Sequence, residues 1–413
     1  MIVMTNNEIF KRSREACKTL ALLSDAQRNE VLQAVADAIV AQQATLLQAN
    51  ALDLAVMDPA NPLYDRLQLT AQRLEGIAAD MRHVSELPSP LGRTLQDRTL
   101  LNGLRLRRVS VPFGVIGVIY EARPNVTFDV FSLCFKSGNA CVLKGGKDAD
   151  HSNRAAIQLI HGVLEQKGIT PDAVALLPAT HEATAELLNA VGYIDVCIPR
   201  GGRKLIDFVR NQAHIPVIET GAGVVHAYFD ASADLVMGQR IIENAKTRRV
   251  SVCNALDCLI VHRSRLHDLP ELVKPLIAKH VELWSEEPLP GVNSHLACDN
   301  AAEVFGTEFM DYKMAIKVVD SIDEALQHIA HYGSGHSECI ITRDSNNAHR
   351  FQQEVDAACV YVNAPTSFTD GAQFGLGAEI GISTQKLGPR GPMGLEEITT
   401  YKWLIDGEGQ IRA

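Results

Sequence analysis

Short apolar runs alternate with longer amphipathic segments through the middle of the chain, and this alternation limits the fold more than any other feature. The runs are Val115–Ile119, Ala140–Leu143, Val174–Leu177, Ile194–Ile198 and Pro216–Ile218. The segments between them, such as Ser152–Gln166 and Ala183–Val191, have the apolar spacing of helices. Strands that are joined by crossover helices form a parallel sheet, so the pattern predicts an α/β fold.

Further elements flank this region. Residues 1–90 read as helical, and Ser24 with Gln27 forms a capping-box pattern. The turn signal Asn102-Gly103 lies inside the alternating segment Leu95–Val111 and predicts a hairpin. A second α/β region and a final strand follow, with apolar runs at Leu256–Val261, Ile316–Val319, Glu338–Ile341, Cys359–Val362 and Thr399–Leu404. A chain of 413 residues organised in this way predicts two large domains.

Bulk properties argue against several classes of protein. No run reaches the ~18 consecutive apolar residues of a membrane helix, and residues 1–7 lack the basic and apolar regions of a signal peptide. The nine cysteines include no CxxC pair, which favours free thiols in a reducing compartment, so we expect a cytoplasmic protein. The net charge of −10 argues against a nucleic-acid partner. No membrane partner is expected.

Polar, basic and glycine residues collect where the predicted strands end. The segments are Tyr120–Asn125, Lys144–Lys147, Pro199–Arg203 and Glu219–Gly223. Parallel sheets bind ligands at the carboxyl ends of their strands, so this edge is the predicted binding site. The basic residues suit a small anionic ligand, although each cluster could also be a solvated loop. The run Arg200-Gly201-Gly202-Arg203 could cradle a phosphate or could be a structural turn.

Cys253 is the candidate nucleophile. Three cations precede it within eight positions, namely Lys246, Arg248 and Arg249. Nearby positive charge favours the thiolate, which is the reactive form of cysteine. The alternative interpretation is a buried structural cysteine, which is the usual role of this residue type.

Histidine spacing gives little indication of a metal. His328 and His331 lie three apart on a predicted helix, and His295 precedes Cys298 by three positions. Either pair could contribute to a metal site, but the sequence shows no third and fourth ligand at a suitable spacing. We therefore predict no metal.

Six longer motifs carry a resemblance to a known family. They are Val115–Thr127, Ile198–Gly202, Ser251–Asn254, Phe374–Glu379, Ser383–Leu387 and Arg390–Leu395. With these motifs in this order, the chain resembles the aldehyde dehydrogenase superfamily and, within it, the gamma-glutamyl phosphate reductase family. The resemblance spans essentially the whole chain.

The resemblance implies an enzyme of proline biosynthesis. Such an enzyme reduces an acyl phosphate, L-glutamyl 5-phosphate, with NADPH to L-glutamate 5-semialdehyde and phosphate through a cysteine thioester. Cys253 matches the nucleophile, and Asn125 matches the residue whose amide helps to form the oxyanion hole. Glu219 matches the superfamily's general base for thioester hydrolysis. Because a phosphate-releasing enzyme should exclude water, the role of Glu219 stays open between a spare group, a structural group and a proton shuttle.

The resemblance also implies cofactor contacts. Lys144 matches the lysine on the adenosine ribose, and Glu308 falls where a glutamate binds the nicotinamide ribose. Lys147 stands where NAD-preferring relatives tend to have an acid, and two lysines together could neutralise a 2′-phosphate. We therefore expect NADP(H) as the cofactor. The other cofactor-binding candidates are Arg200, Gly201 and Gly202.

Four cations are candidates for binding the phosphate and the α-carboxylate of the substrate: Arg123, Lys246, Arg249 and Arg390. The chain departs from the family pattern at two places. Val250 replaces a proline just before the cysteine motif, and Ser367 replaces an arginine. The serine could weaken a contact to an anionic substrate, or it could be a harmless surface change.

The implied fold is aldehyde-dehydrogenase-like, with a Rossmann-type parallel-sheet cofactor domain, an α/β catalytic domain and a small oligomerisation hairpin. We predict a dinucleotide-binding domain over 1–93 and 110–221 and a catalytic domain over 222–388. Residues 94–109 and 389–413 are predicted to form the hairpin and tail that mediate homo-oligomerisation. A glutamate kinase, which would supply the labile acyl phosphate, is the predicted transient partner.

Three alternatives remain open at this point. The chain could be an NAD(P)-dependent aldehyde dehydrogenase that hydrolyses its thioester with Glu219. It could act on a different acyl phosphate, such as an N-acetylated one. It could also be a catalytically silent protein that binds a kinase as a scaffold, although a scaffold has no use for Cys253, Asn125 and Lys144.

Overall fold

The computed structural model describes residues 4–59, 61, 64–296 and 304–412, and these form two compact units. Unit 1 comprises the chain up to Thr220, then Gly375–Gly381, and finally the chain from Met393 onward. Unit 2 comprises Gly221–Phe374 and Ile382–Pro392. Among the described residues, no helix is both long and apolar enough to cross a membrane.

Unit 1 begins with helices. They are α1 (Asn6–Leu20), α2 (Asp25–Ala41), α3 (Gln43–Leu54), α4 (Tyr64–Leu67) and α5 (Ala71–Glu86). The predicted capping box is confirmed, because the Ser24 side chain accepts from the Gln27 N–H and the Gln27 side chain accepts from the Ser24 N–H. These reciprocal bonds satisfy backbone donors that a helix leaves unpaired at its start.

A four-stranded parallel sheet forms the centre of unit 1. Its strands are β3 (Val115–Tyr120), β4 (Ala140–Lys144), β5 (Val174–Leu176) and β6 (Val196–Arg200), in the order β5-β4-β3-β6. The connecting helices are α6 (Asn125–Lys136), α7 (Asp150–Gln166), α8 (His181–Leu188) and α9 (Arg203–Gln212). Every residue of β3 is buried, as the apolar run predicts for a strand that is covered on both faces.

The run Pro216–Ile218 does not form the predicted strand. It makes a single bridge to β6, in which the Cys197 N–H donates to the Pro216 carbonyl at 2.8 Å and the Ile218 N–H donates to the Cys197 carbonyl at 2.9 Å. Proline has no N–H to extend such a ladder. The segment therefore follows the sheet edge without becoming a full strand.

A three-stranded antiparallel sheet also belongs to unit 1. It contains β1 (Thr94–Thr99), β2 (Arg105–Pro112) and β16 (Thr399–Asp406), in the order β1-β2-β16. Gly103 has φ 86° in the turn between β1 and β2, a conformation that glycine adopts at little cost. The predicted hairpin and final strand are confirmed, and they pair with each other through β2.

Unit 2 is built on a seven-stranded parallel sheet. In chain order its strands are β7 (His226–Phe229), β8 (Cys258–His262), β9 (Glu282–Ser285), β10 (His295–Leu296), β11 (Lys313–Val319), β12 (Ser337–Ile341) and β13 (Cys359–Val362). Their spatial order is β10-β9-β11-β8-β7-β12-β13. The described helices include α10 (Leu235–Thr247), α11 (Leu269–Ala278), α12 (Ile322–Tyr332) and α13 (Ser345–Glu354). A short antiparallel pair, β14 (Ile382–Ser383) and β15 (Gly391–Pro392), completes the unit.

Both units therefore contain a parallel sheet with crossover helices, and the predicted α/β fold is confirmed. Central runs such as those of β3 and β8 form strands that are almost wholly buried, because a parallel sheet is covered on both faces. The carboxyl ends of these strands, where loops lead into helices, are the positions at which such sheets hold ligands.

Candidate active site

Cys253 lies in a turn of unit 2 between α10 and β8, and it is half-buried. We call residues 248–257 the cysteine loop. The preceding helix, α10, is capped by Asp234, whose side chain accepts from the Met237 N–H at 2.8 Å. A partly exposed thiol in a loop at the end of a helix is accessible to a small substrate, unlike the fully buried Cys258, Cys339 and Cys134.

Gly223 fixes the backbone around the cysteine. A Cβ added at this glycine would lie 1.6 Å from the Cys253 carbonyl oxygen, so only glycine fits. The Gly223 N–H donates to Glu308 Oε1 at 3.0 Å. Because Gly223 has no side chain, the Cys253 carbonyl can pack directly against it. The backbone N–H of Gly223 binds Glu308, so Cys253 and Glu308 both lie next to this glycine in unit 2.

Residues that follow β13 brace the cysteine loop. The Thr366 hydroxyl donates to the Asn254 carbonyl at 2.9 Å, and Asn254 Nδ2 donates to the Thr369 carbonyl at 2.8 Å. The Ser367 hydroxyl donates to Asn244 Oδ1 at 2.6 Å, and the residue is buried. The expectation that Ser367 could be a surface change is therefore wrong, because its short side chain is enclosed and paired with α10.

The three cations before Cys253 separate in the structure. Arg248 and Arg249 are exposed, whereas Lys246 is fully buried with its ammonium 4.0 Å from Asp257 Oδ1. Burial lowers the pKa of Lys246, and burial raises the pKa of Asp257. Asp257 Oδ1 also accepts from the Phe309 N–H at 3.1 Å. Lys246 therefore lies beside Asp257 at the base of the cysteine loop and does not present its charge at the surface.

Arg390 is bound by an acid within unit 2. Its Nη1 donates to Asp356 Oδ1 at 2.8 Å, and Lys386 Nζ lies 2.5 Å from Asp356 Oδ2. Hydrogen bonds from Lys386 and Arg390 lower the pKa of Asp356, which therefore stays ionised and offsets their charge. An anionic substrate at Arg390 would compete with this carboxylate.

Asn125 is the first residue of α6 in unit 1, and one of its amide hydrogens is already used. Its Nδ2 donates to Asp129 Oδ2 at 2.9 Å. A side-chain amide carries two N–H groups. Its second N–H can therefore donate to a ligand, while the bond to Asp129 fixes the direction in which the amide faces.

Lys144 and Arg200 lie at the same edge of the unit 1 sheet. The strand β3 stands between them, with Ile119 opposite Lys144 and Tyr120 opposite Arg200. Lys144 is half-buried, and burial lowers its pKa. Lys147 starts the short 3₁₀ turn Lys147–Ala149 and is exposed. Lys144 therefore ends β4, and Lys147 begins the 3₁₀ turn that follows it three residues later.

The glycines of this edge approach other groups closely. A Cβ at Gly145 would lie 2.3 Å from Asn153 Nδ2, and one at Gly201 would lie 2.8 Å from the Glu121 carboxylate. That carboxylate also accepts from the Gly202 N–H at 3.1 Å. Glu121 thus accepts from the Gly202 N–H at the start of α9, where the sequence analysis predicted a phosphate. A phosphate at this N–H would have to displace the Glu121 carboxylate.

Glu219 is bound by an arginine in unit 1. Arg210 Nη1 donates to Glu219 Oε2 at 3.1 Å, and Arg210 also pairs with Asp207. The ion pair occupies one oxygen of the Glu219 carboxylate.

Arg123 lies between the end of β3 and the start of α6 and is partly exposed.

The unit 1 edge fits a phosphate-bearing dinucleotide by its chemistry. It combines Lys144 and Arg200 at strand ends with an exposed Lys147 and with Gly145 and Gly201, whose backbones lie close to neighbouring side chains. Cations and close backbone approach are what a pyrophosphate requires. The Glu121 carboxylate is the one feature named here that opposes a phosphate at Gly202.

Comparison with known proteins agrees with this chemistry. A model of the aldehyde dehydrogenase family matches residues 297–404. A solved structure of a probable aldehyde dehydrogenase from Listeria monocytogenes shares the fold, with a TM-score of 0.74 at 16% identity over 98% of this chain and 97% of that chain. The fold is thus that of the aldehyde dehydrogenase class.

More similar proteins narrow the assignment. A gamma-glutamyl phosphate reductase of Bacteroides thetaiotaomicron is 60% identical over 411 residues, which are 98% of this chain and 99% of the relative. The crystal structure of gamma-glutamyl phosphate reductase from Thermotoga maritima has a TM-score of 0.93 at 40% identity, over 98% of this chain and 99% of that chain. The chain belongs to the gamma-glutamyl phosphate reductase family.

Several residues of the candidate site were missed from the sequence. Gly223 was noted only as part of a glycine-rich strand end, and Asp257, Thr366 and Glu121 were given no role. The signal for Gly223 was available, since a glycine just after a predicted strand marks close backbone approach. No sequence pattern indicates that Asp257 lies beside Lys246.

Proposed function

We propose that the protein reduces L-glutamyl 5-phosphate with NADPH to L-glutamate 5-semialdehyde and phosphate, a step of proline biosynthesis. The observation that carries the proposal is Cys253, a partly exposed thiol in a braced loop. The 60% identical relative that is named gamma-glutamyl phosphate reductase supplies the substrate class. Unit 1 is proposed to bind the dinucleotide, and unit 2 is proposed to carry the nucleophile.

Acyl transfer to the cysteine is the proposed first step. The Cys253 thiolate attacks the carbonyl carbon of the acyl phosphate, a C–S bond forms, and the C–O bond to phosphate breaks with its electron pair leaving on phosphate. The second N–H of the Asn125 amide and the backbone N–H of Cys253 are the proposed donors to the developing oxyanion. Donors of this kind usually give the largest catalytic contribution.

Reduction follows from the thioester. The nicotinamide cofactor, when bound, supplies the hydride that reduces the thioester carbon. The resulting hemithioacetal collapses, the C–S bond breaks, and Cys253 is released as a thiolate with the aldehyde as product. A covalent intermediate divides one difficult reduction into two easier steps.

NADP(H) is the proposed cofactor because of the charge at the end of β4. Lys144 and Lys147 would both face a ribose phosphate, and an added 2′-phosphate gains from two cations. Arg200, Gly201 and Gly202 are proposed to bind the pyrophosphate after Glu121 turns away. In unit 2, Glu308 is proposed to contact the nicotinamide ribose.

Exposed arginines are the proposed substrate cations. Arg249 is exposed in the cysteine loop, and Arg123 is partly exposed next to Asn125. Arg390 is proposed to bind the substrate in exchange for part of its pairing with Asp356. Lys246 is proposed to act indirectly, since its ammonium is buried beside Asp257.

The pairing of Glu219 favours phosphate release over hydrolysis. Arg210 holds the Glu219 carboxylate through Oε2, whereas a general base for water must direct an oxygen at that water. We propose a structural role for Glu219. The substitution Glu219→Gln should then reduce turnover far less than Cys253→Ala does.

The reverse reaction tests the function. Purified protein is given glutamate 5-semialdehyde and NADP, with and without inorganic phosphate, and NADPH formation is measured. We expect turnover that requires phosphate and that is lost in Cys253→Ala. The matched control is Cys17→Ala, which removes another half-buried cysteine, in unit 1. Its turnover should equal that of the wild-type protein.

Each result separates the alternatives. Turnover without phosphate would identify a hydrolytic aldehyde dehydrogenase. Equal turnover in Cys253→Ala would remove the cysteine from the mechanism. If the folded protein turns over only an N-acetylated substrate, the assignment moves to another acyl phosphate. If it turns over neither substrate, the kinase scaffold becomes the better interpretation.

The cellular setting is also part of the proposal. We infer a cytoplasmic enzyme from its free thiols, a homo-oligomer formed through the three-stranded sheet, and transient contact with the glutamate kinase that supplies its substrate. The labile acyl phosphate is the reason for the kinase contact. Co-purification of the two enzymes in the presence of ATP and glutamate would test it.

A further inference from the structure

Three potential metal ligands meet inside unit 2, and the proposed reaction uses none of them. His226 begins β7 and Cys258 begins β8, and the two residues lie opposite each other in the parallel ladder. His328 lies on α12. One ligand atom from each residue lies within 4.8 Å of the others. All three are buried, with exposures of 0% for His226, 0% for Cys258 and 6% for His328.

His226 is oriented as a ligand would be. Its Nδ1 lies 3.0 Å from Glu338 Oε2, and its backbone N–H donates to the same oxygen at 2.8 Å. With a proton on Nδ1, the Nε2 lone pair is left to accept, and within the described part of the chain this fully buried atom has no hydrogen-bond partner. A histidine whose far nitrogen is held by a carboxylate is the usual arrangement at protein metal sites.

The other two ligands have a suitable separation. His328 Nε2 lies 3.7 Å from Cys258 Sγ. Tetrahedral zinc with bonds of about 2.3 Å to sulfur and about 2.05 Å to nitrogen places these atoms about 3.6 Å apart. Phe305 and Tyr332 pack against the His328 ring, with ring centroids 4.9 and 4.7 Å away.

The charges around the cluster favour a divalent cation. Glu338 is fully buried, and its Oε1 has no hydrogen-bond partner among the residues that the structure describes. A thiolate at Cys258 and a carboxylate at Glu338 would together offset two positive charges. Lys317, whose charge acts on Cys258, is itself paired with Glu286 at 2.5 Å.

We propose that His226 Nε2, Cys258 Sγ and His328 Nε2 bind a zinc-type divalent metal, with Glu338 positioning His226. Thiolate and imidazole are the ligands that zinc prefers. On binding, the Cys258 S–H bond breaks, its proton goes to solvent and an S–metal bond forms. The metal would join β7, β8 and α12, so its role is to stabilise unit 2.

Metal binding is tested on the full chain with Cys253→Ser as the parent, which removes the partly exposed thiol of the cysteine loop. Chelator-treated protein is titrated with Co²⁺, and the thiolate-to-metal absorption is recorded. We expect one ion per chain in the parent and loss of the band in Cys258→Ser and in His328→Gln. Glu338→Gln should weaken binding about 10- to 100-fold, as loss of a ligand's supporting carboxylate does.

Matched controls lie close to each ligand. His331→Gln changes an exposed histidine on the same helix, and Cys339→Ser changes a buried cysteine of the same sheet. Both should keep the band. An unchanged band in Cys258→Ser, or no bound metal in the parent at a hundredfold excess, would overturn the proposal and leave a thiol–imidazole hydrogen bond.

X-ray absorption of the zinc-loaded parent keeps the test independent of whether the variants fold. We expect one sulfur at about 2.3 Å and two nitrogens at about 2.0–2.1 Å. A first shell of oxygen ligands alone would place the metal elsewhere and overturn the assignment.

Discussion

At the scale of single residues, the proposed preference for NADP(H) rests on the charge at the end of β4. Lys144 is half-buried and Lys147 is exposed. A partly desolvated cation interacts strongly with a phosphate, and an exposed one adds long-range attraction that salt screens. The two lysines therefore give different contributions, and the exposed one can be reversed in sign without disturbing the core.

Reversal of the Lys147 charge should change cofactor preference. In Lys147→Glu, a carboxylate would repel a 2′-phosphate, while the ribose hydroxyls of NADH could donate hydrogen bonds to it. We expect kcat/KM for NADPH to fall about 10- to 100-fold and that for NADH to change by less than about threefold. Steady-state rates with both cofactors measure this. The control Lys11→Glu reverses an exposed charge on α1, and equal losses for both cofactors in Lys147→Glu would contradict the assignment.

Asp129 should make the stability of unit 1 depend on pH. Burial raises its pKa to about 7, against ~3.9 for an unfolded chain. Between these values the folded chain holds a proton that the unfolded chain has lost, so stability falls as the pH rises through this window. Asp129→Asn removes the titration, and its side-chain oxygen can still accept from Asn125.

Urea unfolding at pH 5 and pH 8 measures the effect. We expect Asp129→Asn to gain stability relative to the wild-type protein as the pH rises from 5 to 8. Asp37→Asn, an exposed acid on α2, is the control and should show no such gain. A variant that follows the wild-type pH dependence would show that Asp129 is ionised throughout.

At the scale of elements, the cysteine loop is held from two directions. Thr366 and Thr369 bind Asn254 from one segment, and Gly223 packs on the Cys253 carbonyl from another. Such supports fix a nucleophile more firmly than the loop alone could, because each bond removes conformations of the free loop. The approach of Gly223 is the tighter constraint, since no side chain fits there.

A methyl group at position 223 should displace the cysteine. In Gly223→Ala, the new Cβ would meet the Cys253 carbonyl at 1.6 Å, so the loop must move. We expect a loss of about 1–3 kcal/mol of stability and a kcat reduced about 100-fold, because a shift of about 1 Å can cost that much. Gly162→Ala is the matched control, since a Cβ there meets nothing within 4 Å in the middle of α7. A fully active Gly223→Ala enzyme would mean that the loop adapts without loss.

Apolar periodicity in the sequence predicted the strands and helices well. It did not predict which polar side chains would be buried. The runs at β3 and β8 became strands because apolar side chains that are buried on both faces leave few alternatives. Pro216–Ile218 is also apolar, but its first residue is a proline, which has no N–H to donate to a neighbouring strand. Lys246 was expected to face a substrate and Ser367 was open to a surface position, but the structure buries both. The sequence could not indicate this, because their partners Asp257 and Asn244 come close only in the folded chain.

At the scale of the whole molecule, the exposed antiparallel sheet of unit 1 bears on self-association. Most residues of β1 and β16 are exposed. Tyr401, Trp403 and Ile405 share one face of β16, and Arg108 lies over the Tyr401 ring at 4.7 Å. An exposed apolar face on a three-stranded sheet is a typical site of association. This face is therefore where the predicted self-association is expected.

Charged substitutions on that face should dissociate the oligomer. Ile405 is 60% exposed, and Ile405→Lys would place a cation where a second chain is expected to pack, at a cost of several kcal/mol if the position is buried there. We expect light scattering after gel filtration to show an assembly for the wild-type protein and a monomer for the variant. Leu22→Lys is the control, because Leu22 is 85% exposed beyond the end of α1, and it should assemble normally. A wild-type protein that is already monomeric at assay concentration would contradict the prediction, and so would an Ile405→Lys variant of unchanged mass.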